Sequence, residues 1–264
     1  MEMPIIAISS DSPQQETLAA RGVADSLGYA LVGREILGQI AAEHGVSEKD
    51  LLRALDEPPG FFAMRARQRQ ALLTHVRAAC LERLSADNVV CVGLGAHAYL
   101  AGVSHALRVR LLAGPGDGQG QDKPDRRQQE RRRRLSLEAF GLDDTDPDNY
   151  DMVLSLASLE PAQAVAIIAE AAGYPKFQAM TYSRKCLADK ALAAKVRQRL
   201  LAKFPEAKVD VSDGGVVVRV AAIGRGQRKK QLAVRELASQ APGVNYVEVH
   251  VINDFFGSAA QSGR

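Results

Sequence analysis

Tryptophan is absent from the 264-residue chain, and aromatic residues of all kinds make up 5% of it. Stacking platforms for single-stranded nucleic acid therefore have little to build on. Neither sign of charge is in excess: 34 Lys and Arg against 31 Asp and Glu leave +3. So small a surplus gives no electrostatic case for nucleic acid or a membrane surface as the global partner. No apolar run approaches the roughly 18 residues a membrane-spanning helix requires. Cysteine is scarce. Cys80, Cys91 and Cys186 are odd in number, far apart and without a C-x-x-C spacing. They read as reduced thiols rather than a disulfide framework or a zinc site. The start, Met1-Glu2-Met3-Pro4, has no basic stretch followed by an apolar run. With the free thiols, this leads to the expectation of a cytoplasmic protein.

What is present is ordinary for a folded chain: 46% hydrophobic and 25% charged residues. Pro4–Ser9 (PIIAIS) is a short, Ile-rich apolar run that suits a buried strand, and Ser10–Gln15 is turn-like. Thr17–Leu27 carries Leu18, Val23 and Leu27 on one helical face and stops at Gly28. Tyr29–Val32 is strand-like, Arg34–Glu43 is a helix, and Ser47 caps another. A longer helix covers Phe61–Leu84. Asn88–Gly93, Leu107–Ala113 and Tyr150–Leu156 are further apolar runs, the second interrupted by Arg108 and Arg110. Pro161 opens a helix that runs to Ala172. Strands alternating with helices predict a mostly parallel α/β sheet over residues 1–174. Residues 175–187 lack a period and read as a linker. The pattern then changes to helix (Ala188–Phe204), two strands around Asp213-Gly214, helix (Gln227–Gln240) and strand (Val244–Ile252). This predicts a small α+β unit of order αββαβ at 188–254, with a disordered tail at 255–264.

In a parallel α/β protein, the turn from the first strand into the first helix is where phosphate is held, on loop amides and the helix N-terminus. Here that turn is Ser9-Ser10-Asp11-Ser12-Pro13-Gln14-Gln15-Glu16-Thr17. It has no glycine for close approach and no lysine for the β and γ phosphates, and Pro13 removes an amide donor. Asp11 and Glu16 would repel a triphosphate. Ser9, Ser10, Ser12 and Thr17 are the remaining candidate phosphate contacts. Gly114–Gly120 leads into the densest charge run, with Arg126, Arg127 and Arg131–Arg134. Guanidinium forks suit phosphate oxygens, so Arg131, Arg132 and Arg134 are the second set of candidates; the plainer reading is a solvated helix face. Asp143, Asp144, Asp146 and Asp148 lack the Gly and Glu positions of an EF-hand and are read as an acidic turn. Among His44, His75, His97, His105 and His250 no close metal spacing arises, and His97, near the end of the third strand, reads as structural.

Several of these segments together resemble the cytidylate kinase-like family of P-loop nucleoside monophosphate kinases. They are IIAIS at 5–9, DSLGY at 25–29, VGREI at 32–36, VVCVGLGAHAYL at 89–100, ERRRR at 130–134 and GLDDTDPDNYDMVLSLASL at 141–159. The last carries an Asp-Pro-x-x-Tyr-Asp turn such kinases place before their final strand. The resemblance implies a five-stranded parallel sheet, an arginine-rich lid and transfer of phosphate from ATP, with magnesium, to a pyrimidine nucleotide. It implies that Arg132 and Arg134 are catalytic candidates contacting phosphates, and that Thr17 lies near the residue that would meet magnesium. The chain departs from the family in its loop, where Glu16 stands near the expected basic residue. Gly33 stands where an Asp is common, and Leu94 replaces the Arg of a Gly-Arg-Gly. Residues 188–254 resemble a BON domain, on Lys195–Leu201, Asp213–Val218, Ala233, Leu237-Ala238 and Pro242-Gly243-Val244. Such domains are taken to bind membranes, phospholipids or protein partners. A basic patch of Arg225, Arg228, Lys229 and Lys230 would suit that role, although a solvated loop accounts for it equally. The expectation is a kinase-like domain without kinase activity that responds to nucleotides or anions and contacts a partner through its BON module. The alternatives are a divergent kinase acting on CMP or dCMP with ATP, and a scaffold for assembly.

Overall fold

The computed structural model describes residues 4–58, 63–113, 126–221 and 226–252, the side chains of Arg126, Gln128 and Gln129 excepted. Residues 114–120 and the tail at 255–264 lie outside the described residues. The chain divides into two compact units, Met1–Arg184 and Lys185–Arg264.

The first unit is built on strands β1 (Ile5–Ser10), β2 (Ala30–Val32), β3 (Val89–Val92), β4 (Ala106–Leu112) and β5 (Met152–Ser155). All pairings are parallel, in the order β2-β3-β1-β4-β5. This is an α/β fold with a five-stranded parallel sheet flanked by helices, as expected. Every residue of β1 is buried, which is why its sequence is a continuous apolar run rather than an alternation. The helices are α1 (Pro13–Leu27), α2 (Ile36–His44), α3 (Glu48–Asp56), α4 (Ala66–Leu84), α5 (Ala96–Tyr99), α6 (Arg126–Phe140) and α7 (Pro161–Ala172). Ile6, Ile8, Val90, Val109 and Leu111 pack with Ala19, Ala20 and Val23 of α1 and Ile168 of α7. The approach of α1 to α7 is close: a Cβ at Gly22 would stand 2.8 Å from Val165 Cγ2. α1 ends where the sequence places its stop, at Gly28 with φ 68°. α7 has the predicted bounds, and the Glu160 amide donates to the Gln163 side chain at 3.0 Å to cap it.

Helix α8 (Thr181–Leu200) starts in the first unit and from Lys185 onward belongs to the second, which continues with β6 (Lys208–Ser212), β7 (Gly215–Ala221), α9 (Gln227–Ser239) and β8 (Tyr246–Ile252). The second unit's small sheet is mixed, β6 antiparallel to β7 and β7 parallel to β8. Asp213 and Gly214 both have positive φ, 56° and 71°, which turns the β6–β7 hairpin as the Asp-Gly pair suggests. Val196, Leu200, Val216, Val218, Val220, Val234, Ala238 and Val249 form its core.

The stretch expected to be a linker is more ordered than its lack of period suggests. Pro175–Phe177 is a 3-10 turn, and Phe177 is buried in the first unit's core. Helix α8 begins at Thr181 rather than Ala188, with the Met180 amide donating to Ser183 Oγ at 3.1 Å at its start. A polar first turn hid the helix from a reading based on apolar spacing. α5 was not anticipated for a similar reason, being four residues long. Among the described residues, no helix is long and apolar enough to cross a membrane, and no group of three or more His, Cys, Asp or Glu stands ready to hold a metal ion.

Candidate functional site

Strand β1 lies at the centre of the parallel sheet, between β3 and β4. The carboxyl ends of such strands are where an open α/β sheet binds ligands. The turn leaving β1 engages four of its amide donors with the chain's own oxygens. The Ser10 amide donates to Glu16 Oε1 at 3.1 Å, and the Ser12 amide donates to Ser10 Oγ at 3.1 Å. The Gln15 amide donates to Ser12 Oγ at 3.4 Å and the Glu16 amide to the Ser12 carbonyl at 2.9 Å. Pro13 has no N–H to offer. Asp11 Oδ1 accepts from the Ala113 amide at 2.6 Å, tying the turn to the end of β4, and from the Ser10 hydroxyl at 3.5 Å.

Glu16 is the unusual member. Its side chain folds back from the first turn of α1 and is buried. Burial pushes its carboxyl up to about 7, against the opposing pull of the Ser10 amide and of Arg132, Arg34 and Arg110. The G-x-x-x-x-G-K-[ST] spacing of a phosphate loop fits Ser10–Thr17, with Glu16 in the lysine's place. A carboxylate therefore stands where that motif puts an ammonium.

Three arginines from distant parts of the chain converge here. Arg110, on β4 opposite Ser9, is buried and donates from Nη1 to Ser9 Oγ at 3.0 Å, while its Nε has no partner. Burial, then the charge of Arg132, lowers its affinity for a proton. Arg132, on α6, places Nη2 3.5 Å from the same Ser9 hydroxyl and Nε 2.5 Å from Asp144 Oδ2. Arg34, after β2, makes a two-pronged pair with Asp56, both contacts at 2.6 Å. Against Gly93, Arg34 Nε and Glu16 Oε2 lie 3.1 and 3.6 Å from where a Cβ would sit.

Asp144 is buried and is held on several sides. Its amide donates to Ser136 Oγ at 3.0 Å, and its carbonyl accepts from the Tyr150 hydroxyl at 2.9 Å. His97 stacks on Tyr150 with ring centroids 5.4 Å apart, and burial pushes its imidazole down to about 4. It is a neutral packing group at ordinary pH, as its position near β3 suggested.

Of the residues singled out from the sequence, the structure brings Ser9, Ser10, Ser12 and Arg132 together. Arg134 instead pairs with Glu130 at 2.9 Å, its side chain 66% exposed, and Arg131 is exposed. Arg133 pairs with Asp143 at 2.6 Å. The Thr17 hydroxyl donates to the Pro13 carbonyl at 2.9 Å on the exposed side of α1. Sequence reasoning missed Arg110, Arg34 and Asp144 as members of the site. One signal was available: two arginines within the otherwise apolar β4 imply buried partners. Asp151 supplies one of them, 3.1 Å from Arg108 Nε, and Ser9 accepts from the other.

Residues 5–116 match the model of the Cytidylate kinase-like family. None of the curated proteins matches the chain. Among solved structures, the chain is similar to the "Crystal structure of uncharacterized protein from Eubacterium ventriosum ATCC 27560". The two share 15% identity over 64% of this chain and 97% of that one, with a TM-score of 0.41. The family match takes in the β1–α1 loop, Arg34 and Arg110, stops before Arg132 and Asp144, and does not reach the second unit. From β1 through β4 the chain is similar to the Cytidylate kinase-like family, and that likeness suggests a nucleotide-kinase-like function.

Proposed function

We propose that the first unit is a kinase-like domain that binds anionic, nucleotide-class ligands without transferring a phosphoryl group, and that the second unit serves as its contact with a partner. The observation that carries this reading is the hydrogen bond from the Ser10 amide to the Glu16 carboxylate. Phosphoryl transfer depends on positioning and on stabilising the charge of the moving group. A loop whose Ser10, Ser12, Gln15 and Glu16 amides face the chain's own oxygens, with a carboxylate in place of an ammonium, offers a triphosphate neither. The Thr17 hydroxyl, engaged with the Pro13 carbonyl, is not presented to a magnesium ion. The residues present do not fit an ATP–magnesium complex in the manner of a phosphate loop, and no catalytic step is assigned to Arg132 or Arg134.

The test is ATP binding by calorimetry, followed by phosphate transfer from ATP to CMP, dCMP and UMP. Binding without turnover supports the reading. Turnover above about 1 s⁻¹, within the ordinary kinase range, overturns it in favour of a divergent nucleotide kinase. For the second unit the BON resemblance supports a protein or phospholipid partner. Arg228 and Lys229 are exposed near the start of α9, whereas Lys230 pairs with Glu206 at 2.6 Å. Loss of vesicle co-sedimentation in a protein carrying Arg228→Glu and Lys229→Glu would identify phospholipid as that partner. Co-sedimentation unchanged by those substitutions would remove this patch from consideration.

A further inference from the structure

We propose that the Glu16 carboxylate is the loop's own ligand: it holds the place of an external tetrahedral oxyanion of the sulfate or phosphate class, and neutralising it admits such an anion to the Ser10 amide, Arg110, Arg132 and Arg34. The inference rests on the reading above that the loop is a binding site rather than a phosphoryl-transfer site. It goes further by naming what currently fills that site and what replaces it.

Three observations carry it. The Glu16 side chain reaches back six residues to take the Ser10 amide, a donor at the mouth of the helix that external anions ordinarily use. Arginines from three separate elements gather at the loop: Arg110 from β4 and Arg132 from α6 reach the Ser9 hydroxyl at 3.0 and 3.5 Å, and Arg34, after β2, lies with Glu16 Oε2 against Gly93. Arg110 is buried, and its Nε donates to nothing. Asp144 Oδ2 stands 4.0 Å from Arg110 Nη1, but the buried Nε keeps a spare N–H, which is costly unless an acceptor comes to face it.

Competition between Glu16 and an outside anion makes the site respond to pH, since the carboxyl titrates near 7. Glu35, which faces Cys91 together with Glu16, is held by the Gly33 amide at 2.6 Å. The arginines stay cationic. His97 on α5 is already neutral with its value near 4, and the Cys91 thiol on β3 is pushed up by its contact with Cys80 and by burial. Asp11 and Asp144 are the remaining carboxylates facing Arg110, and each has a fixed partner, the Ala113 amide at 2.6 Å and Arg132 at 2.5 Å. Glu16 is thus the group here that burial brings into the window between pH 6 and 8.

The experiment is a calorimetric titration of the full chain with sulfate, whose charge is constant from pH 6 to 8, in wild type and Glu16→Gln. Glutamine keeps an oxygen for the Ser10 amide and removes only the charge. The variant should bind sulfate about tenfold more tightly than wild type at pH 8. Wild type should itself tighten about tenfold between pH 8 and pH 6 while the variant stays level. The wild-type profile keeps the proposal falsifiable even if the variant folds poorly. Adding Arg132→Gln to Glu16→Gln should abolish the gain. A second titration with CMP tells a free oxyanion from the phosphate of a nucleotide, and a gain in either ligand supports the proposal. Equal, pH-independent affinity in wild type and variant for both ligands overturns it, as does a gain that survives Arg132→Gln. Because no ATP is present, failure here leaves the phosphoryl-transfer question untouched. Kinase turnover by wild type would equally leave the sulfate result standing.

Discussion

The two units differ in what they bury. The ten buried polar or charged side chains among the described residues all belong to the first unit, Glu16, Arg69, His97, His105, Arg110 and Asp144 among them. The second unit's core is valine, leucine, alanine and phenylalanine throughout. An apolar core of that kind is held by area removed from water and by close packing, and both are indifferent to pH. Charged groups taken out of water hold together only while every partner is present and in the right protonation state. The first unit is therefore the more sensitive of the two to pH and to the loss of a single partner.

That contrast can be broken most forcefully at Arg69. It is fully buried, its Nε 2.9 Å from Glu138 and its Nη1 donating to the Ala54 carbonyl at 3.2 Å. Arg69→Ala should lower the first unit's stability by about 3–5 kcal/mol, because it strands the partner and leaves a cavity. Scanning calorimetry of the full chain should show one transition shifted and the other in place. Leu200→Ala is the counterpart in the second unit. Leu200 is fully buried, so truncation should cost about 2–5 kcal/mol, with the same loss at pH 5 and pH 8.

Glu16→Gln tests the pH contrast directly. Glu16 binds its proton more tightly in the folded chain, near 7, than at its ordinary value of 4.5. Wild-type stability therefore falls as pH rises across that interval, by about 3 kcal/mol in all. The variant should be more stable by about that amount at pH 8 and gain nothing below pH 4.5, as read by urea denaturation at both ends. His97 has the opposite slope. Its folded value near 4 lies below the ordinary 6.5, so stability is lost as pH falls between the two. His97→Leu should flatten the acid limb of the profile and leave the alkaline limb alone; an unchanged acid limb would refute the assignment. The smallest effect belongs to Asp56→Asn. The Arg34–Asp56 pair is roughly half-exposed, so its loss should cost less than about 1 kcal/mol and fade in high salt.

Much of the architecture was legible because it depends on short-range signals. The apolar run at 5–9, the Gly28 stop, the Pro161 start and the Asp213-Gly214 turn each act within a few residues, and each appears in the structure where the sequence puts it. The site was legible only in part. Ser9, Ser10, Ser12 and Arg132 could be named from the loop position and the arginine run. Their partners could not, since Arg110 reaches Ser9 across 101 residues and Arg132 reaches Ser9 across 123. Glu16 is the instructive case. Its charge was read as repelling an incoming phosphate, whereas in the fold the same charge is turned inward as a cap on the loop. Sequence reveals a residue's chemistry, but the direction a side chain takes is settled by what surrounds it.

The pairing of β4 with β5 also fixes where this protein can be shortened. Residue 116, the end of the family match, falls just beyond β4. A fragment ending there would leave β4 with a bare row of amides and carbonyls, open to strands of other molecules. It would also uncover the side of α1 where Gly22 meets Val165. Such a piece would be prone to clump, and a well-behaved excised domain has to extend at least through Phe177.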